Sequence, residues 1–118
     1  MSVRNFRDLR VWQQAMDLCV MVYELTKTWP NDERYALTSQ TRRAAVSVPA
    51  NIAEGQGRGS DKAFANFLNI AHGSLRELET HLEIARRLNY ATNEAVPPLL
   101  SLCAEVGQSI NALRNRMS

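Results

Sequence analysis

A chain of 118 residues with 45% hydrophobic and 22% charged content can bury a core of its own and is too apolar for a disordered segment. Its formal net charge of +2 neither demands nor excludes a polyanionic partner. With only 5 Gly and 4 Pro, turns are scarce, so one domain over residues 1–118, built from a few long elements, is expected.

The cations are lopsided, because Lys27 and Lys62 are the only lysines among 14 basic residues. Arginine offers a planar fork suited to phosphate and carboxylate, although a codon bias toward arginine explains the same excess. Cys19 and Cys103 are far apart in apolar surroundings and have no metal-ligand spacing, so they read as buried free thiols. The N-terminus lacks an apolar signal core, and the longest apolar run, Leu18 to Tyr23, is too short for a bilayer. A cytoplasmic chain without membrane contact is the expectation.

Four helices are expected, over about residues 8–28, 32–55, 60–89 and 93–116. In the first, Leu9, Trp12, Met16, Cys19 and Tyr23 recur at helical spacing, and Val11, Ala15, Leu18, Val22 and Leu25 form a second stripe on a neighbouring face. Two stripes exceed what one bundle core requires. The surplus points to a partner subunit, with Val11, Leu18, Val22 and Leu25 as its interface. Trp29-Pro30-Asn31-Asp32 ends this helix.

The start of the second helix is ambiguous, since Asn31, Asp32 and Thr38 are all N-cap types. Its apolar positions (Ala44, Ala45, Val48, Ile52, Ala53) are small enough for close helix approach. Pro49 lies mid-helix, where the missing donor costs roughly 3 kcal/mol, so a kinked but continuous helix is expected. Gly55, Gly57 and Gly59 terminate it. Ser60 and Asp61 then suit the N-cap and first turn of the third helix, with core positions Leu68, Ala71, Leu75, Leu78, Leu82 and Ala85. The fourth helix repeats the pattern through Val96, Leu99, Cys103, Val106, Ile110, Leu113 and Met117, with Pro97 and Pro98 at its start. Short connections between long amphipathic helices imply an all-α, antiparallel up-down-up-down bundle, and the surplus apolar face implies a ring-like homo-oligomer.

Few constellations survive a spacing test. His72 and His81 lie nine residues apart on one helix, and neither takes part in a Glu-x-x-His pair, which excludes the bundle di-metal pattern. Glu77 and His81 stand at i, i+4, as an acid–base pair or as an ordinary solvated face. No Ser-His-Asp or Cys-His set can be assembled. The glycines at 55, 57 and 59 follow a helix rather than a strand, so helix termination explains them better than a phosphate loop, with anion capture at the start of the third helix left open. No enzyme, cofactor or metal is therefore expected.

Gln40, Arg43, Ser47, Asn51, Glu54 and Arg58 share one side of the second helix. A structural polar seam, a wet face and a ligand contact all fit. Basic residues cluster as Arg4, Arg7 and Arg10, as Arg42 and Arg43, as Arg86 and Arg87, and as Arg114 and Arg116. Carboxylates are interspersed, so a phosphate-binding surface requires symmetry to gather Arg42, Arg43, Arg58, Arg86, Arg87, Arg114 and Arg116. Solvated surface charge is the alternative.

Segments Asn5–Ala15, Val22–Thr26, Glu33–Gly55 and Phe67–Thr80 together resemble the four-helix bundle family first noted as proteins encoded in intervening sequences of bacterial 23S ribosomal RNA genes. Ser47-Val-Pro-Ala-Asn-Ile-Ala-Glu-Gly55 is the most specific stretch, with Ser47, Pro49, Asn51, Glu54 and Gly55 as the family signature. The Pro97-Pro98 pair departs from the family pattern. The resemblance implies a ring-like homopentamer. It also implies likeness to the accessory variability determinant of diversity-generating retroelements, which binds a reverse transcriptase and RNA. On this basis the expected function is a non-enzymatic oligomeric scaffold that binds RNA or an RNA-handling protein. The rival is a structural or protein-binding module with no nucleic-acid role.

Overall fold

A computed structural model describes residues 5–117; Arg4 lies outside the described residues. Four helices are present: α1 (Arg10–Thr26), α2 (Leu37–Gln56), α3 (Asp61–Arg87) and α4 (Val96–Asn115). Two short 3-10 turns, Phe6–Asp8 and Asn31–Glu33, precede α1 and α2, and no strand occurs among the described residues. Each helix packs on its neighbours in sequence and α4 closes on α1. The body measures 44 × 24 × 20 Å. Its long dimension follows α3, whose 27 residues rise about 40 Å. Among the described residues, no helix is long and apolar enough to cross a membrane.

On α1, the stripe of Val11, Ala15, Leu18 and Val22 points inward. Val11, Leu18 and Val22 are 4%, 1% and 0% exposed, and Leu25 packs half-buried on the same core. This corrects the interface assignment, because these side chains are covered by the chain's own fold. Of the other stripe, Leu9 is buried in the core at 6% exposed, Trp12 and Cys19 are half-buried, and Met16 and Tyr23 are 38% and 40% exposed; Val20, which belongs to neither stripe, stands out beside them at 59%. Helical period shows that both faces are apolar. Which one turns inward depends on α2 and α4, which flank α1 and cover the arc centred on Leu18.

The chain enters α2 later than expected, at Leu37 rather than residue 32. None of the three N-cap candidates caps it. Glu33 reaches forward instead, and its Oε1 accepts from the Leu37 N–H at 3.2 Å. Its other oxygen accepts from the Tyr90 hydroxyl at 2.8 Å, and the Tyr90 ring tilts against Trp29 at 6.3 Å. α2 then runs unbroken through buried Pro49 to Gln56, with Gly57 at its C-cap.

Small residues bring α2 close to α3. A Cβ on Gly55 would sit 2.6 Å from the Phe67 Cβ and 3.1 Å from the Phe64 ring, so only glycine fits. Gly59, at φ +81°, turns the chain, and the Ser60 side chain caps α3 by accepting from the Ala63 N–H at 3.2 Å. Leu68, Ala71, Leu75, Leu78, Leu82 and Ala85 are all fully buried, as their spacing requires. α3 stops at Arg87, two residues short of the expected Asn89, which adopts φ +62°. α4 begins at Val96 with Pro97 and Pro98 in its first turn, where missing N–H groups cost little.

Gly55→Ala forces Phe67 or the α3 backbone to move and is expected to lower stability by about 1–3 kcal/mol. Denaturant unfolding that leaves the midpoint unchanged would contradict the close approach.

Candidate functional site

The polar stripe of α2 faces α3 along its middle. The Ser47 and Ser74 hydroxyls share a hydrogen bond of 2.8 Å, and the Asn51 side chain donates to the Ser47 carbonyl and hydroxyl at 2.8 and 2.9 Å. Toward one end the seam opens into a cleft of about 260 Å³ lined by Gln40, Arg43, Ala44, Ser47, Ser74 and Glu77. Toward the other, Arg58 pairs with Glu54 at 2.5 Å and lies over the Phe67 ring at 5.0 Å. Ser47, Asn51 and Gly55 therefore serve the α2–α3 contact and Glu54 its flank through Arg58, while Pro49 is buried within α2. Ser74, which sequence reasoning passed over, completes the seam. No local motif marks it, since its partner lies 27 residues away.

His81 is not on a wet face. It is 8% exposed, with Nε2 at 3.8 Å from a Glu77 oxygen and Nδ1 without a hydrogen-bond partner among the described residues. His72 lies elsewhere on α3, and burial together with Arg76 and Arg114 holds its pKa below the ordinary histidine value. Burial pushes the Cys103 thiol up to about 12 and raises Cys19 as well, so neither is poised as a thiolate. No group of three His, Cys, Asp or Glu side chains suited to a metal occurs among the described residues.

The structure divides the arginine candidates. Arg42 is spent internally: its Nε donates to the Thr26 hydroxyl at 2.8 Å and its guanidinium lies 4.7 Å over the Tyr23 ring. Arg114 ties α4 to α3 through Asn69 at 2.6 Å and also bonds Asn111. Arg86 pairs with Glu83 at 2.6 Å, and Arg58 with Glu54 as above. Arg43, Arg87 and Arg116 are exposed and make no ion pair among the described residues.

One end of the bundle collects positive charge. Two adjoining clefts of about 350 and 320 Å³ open there, between the start of α1, the end of α4 and the α2–α3 connection; both are lined by Leu9, Leu113 and Arg116. Arg7, Arg10, Arg58, Lys62, Arg114 and Arg116 ride on the segments that meet at this end, against Asp8, Glu54 and Asp61. The candidate clusters that are separate in sequence, near residues 7–10, 58 and 114–116, are thus joined in space. Arg43 and the Arg86–Arg87 pair lie away from it.

The model for the 23S rRNA-intervening sequence protein family matches residues 7–112, nearly the whole chain. The protein belongs to that family. A crystal structure of a protein of unknown function from the S23 ribosomal protein family of Bacteroides thetaiotaomicron has the same fold, with a TM-score of 0.81 and 27% identity. The similarity covers 88% of this chain and 97% of that one. No curated protein sequence matches the chain. The family match spans the whole α2–α3 seam, whereas Arg114 and Arg116 lie beyond it.

Because Ser47 serves both Asn51 and Ser74, Ser47→Ala removes the partner of the Ser74 hydroxyl and one of the two acceptors of the Asn51 amide, and is expected to cost about 1–3 kcal/mol. Chemical denaturation is the measurement. A loss near zero would show that the seam is not structural and would return it to the ligand sites.

Proposed function

We propose that this protein is a non-enzymatic, self-associating helical scaffold that holds RNA, or a protein that handles RNA, on arginines gathered by symmetry. The observation that carries the reading is the basic end of the bundle, where cations from α1, the α2–α3 connection and α4 converge. Each copy supplies a modest patch. A closed ring would repeat it around an axis, and phosphate contacts would sum across copies with the salt dependence of counterion release. Family membership adds support through the rRNA genes for which the family is named.

An up-down-up-down order is part of the reading. Ser47 meets Ser74 while Gly55 meets Phe67, and Asn69 meets Arg114 while Leu75 meets Gly107. Rising numbers on one helix thus meet falling numbers on the next, as antiparallel neighbours require. With Val11, Leu18 and Val22 in the core, self-association falls to the outer face, where Met16, Val20 and Tyr23 stand exposed on α1 and Val46 on α2, with Arg42 bridging the two helices over Tyr23. That face also favours the second reading, a module that docks an unrelated protein and leaves the basic end idle.

Filter binding of single-stranded RNA at increasing salt separates the two. Retention at low salt, falling linearly on a log–log plot with a slope of several units, is expected. Absence of retention, or a flat salt response, rules out the RNA reading. Light scattering at micromolar concentration should report a multimer that Val20→Asp shifts toward monomer. A wild-type monomer would remove the symmetric scaffold.

A further inference from the structure

We propose that the two clefts at the basic end bind one nucleotide unit, either the terminal nucleotide of an RNA strand or a free nucleoside monophosphate. The proposal rests on the RNA reading above and gives it a location. The clefts, at about 350 and 320 Å³, fall at the small end of ligand-site sizes and share a wall, so one ligand can lie across both.

Their lining is divided into three chemistries. Leu9, Phe64 and Leu113 supply apolar and aromatic surface on which the flat face of a base can rest. Arg10 and Arg116 bring planar guanidinium forks to the cleft of α1 and α4, matched to phosphate oxygens. Asp8 stands in that same cleft and Asp61 in its neighbour, acceptors for the exocyclic amino group of a base. A ligand with a flat body, a donor edge and an anionic tail satisfies all three. A simple anion would be left facing the carboxylates, and a fatty acid would leave them without a donor.

The cleft over the α2–α3 seam does not compete. Its serine hydroxyls are bonded to each other, and its walls offer no aromatic surface.

The test uses the full-length protein, a fluorescently labelled single-stranded RNA read by anisotropy at low salt, and AMP and CMP read by NMR. Arg10→Glu/Arg116→Glu is compared with Arg43→Glu/Arg87→Glu, an equal charge change elsewhere on the surface. All four side chains are exposed, and thermal unfolding checks each fold. The cleft pair is expected to weaken RNA binding about tenfold or more and the control pair about twofold. AMP should shift the resonances of Phe64, Leu113 and Met117. Equal losses from both pairs, with AMP silent, overturn the cleft while the RNA reading stands. If wild-type protein retains no RNA but AMP shifts those residues, the RNA reading fails and the cleft stands as a mononucleotide site. If both are silent, both fall.

Discussion

The close approach of α2 to α3 is the constraint from which the rest of the bundle is built. It is possible because position 55 has no side chain, so the Phe67 Cβ occupies space that any other residue would claim. At that separation the Ser47 and Ser74 hydroxyls reach each other, and Asn51 secures the first of them to its own helix. Ala44, Ala45, Val48 and Ile52 of α2 share one buried core with Leu68, Leu75, Leu78 and Leu82 of α3. α1 and α4 then close the remaining sides, with the buried Gly107 of α4 facing the Leu75 side chain of α3.

Much of this was legible in the sequence because helical period is a strong signal. The core positions of α3 and α4 follow from spacing alone, and the Ser60 cap and the glycine stop after α2 follow from residue chemistry. The orientation of α1 did not, since two apolar stripes side by side leave the inward direction to the neighbours. Val11, Leu18 and Val22 therefore belong to the core, while Met16, Val20 and Tyr23 face outward. The start of α2 was hidden for another reason. Its first N–H is satisfied by Glu33, a carboxylate four residues upstream, rather than by any of the usual capping side chains beside it. The joining of Arg10 with Arg116, and the commitment of Arg42 to Thr26, depend on contacts between residues far apart in sequence, which no local motif records.

The functional features separate by place. Ser47, Asn51 and Gly55 lie at the α2–α3 contact, where they govern packing. The outward apolar face lies along α1 and α2, and the positive charge lies at the end where the α2–α3 connection meets α1 and α4. Such a division keeps the outward apolar face and the basic end apart from each other and from the core. It also means that family membership speaks mainly to the fold, since the last arginines lie outside residues 7–112.

At the opposite end, the Glu33 carboxylate bonds both the Leu37 N–H and the Tyr90 hydroxyl. The connection between α1 and α2 and the one between α3 and α4 are consequently a single mechanical unit. Residues spliced into either would pull on the other and on the first turn of α2. The exposed α2–α3 link around Gly59 lies at the other end of the bundle, and is the place to split the chain for permutation or to graft a tag without disturbing the Glu33 tie.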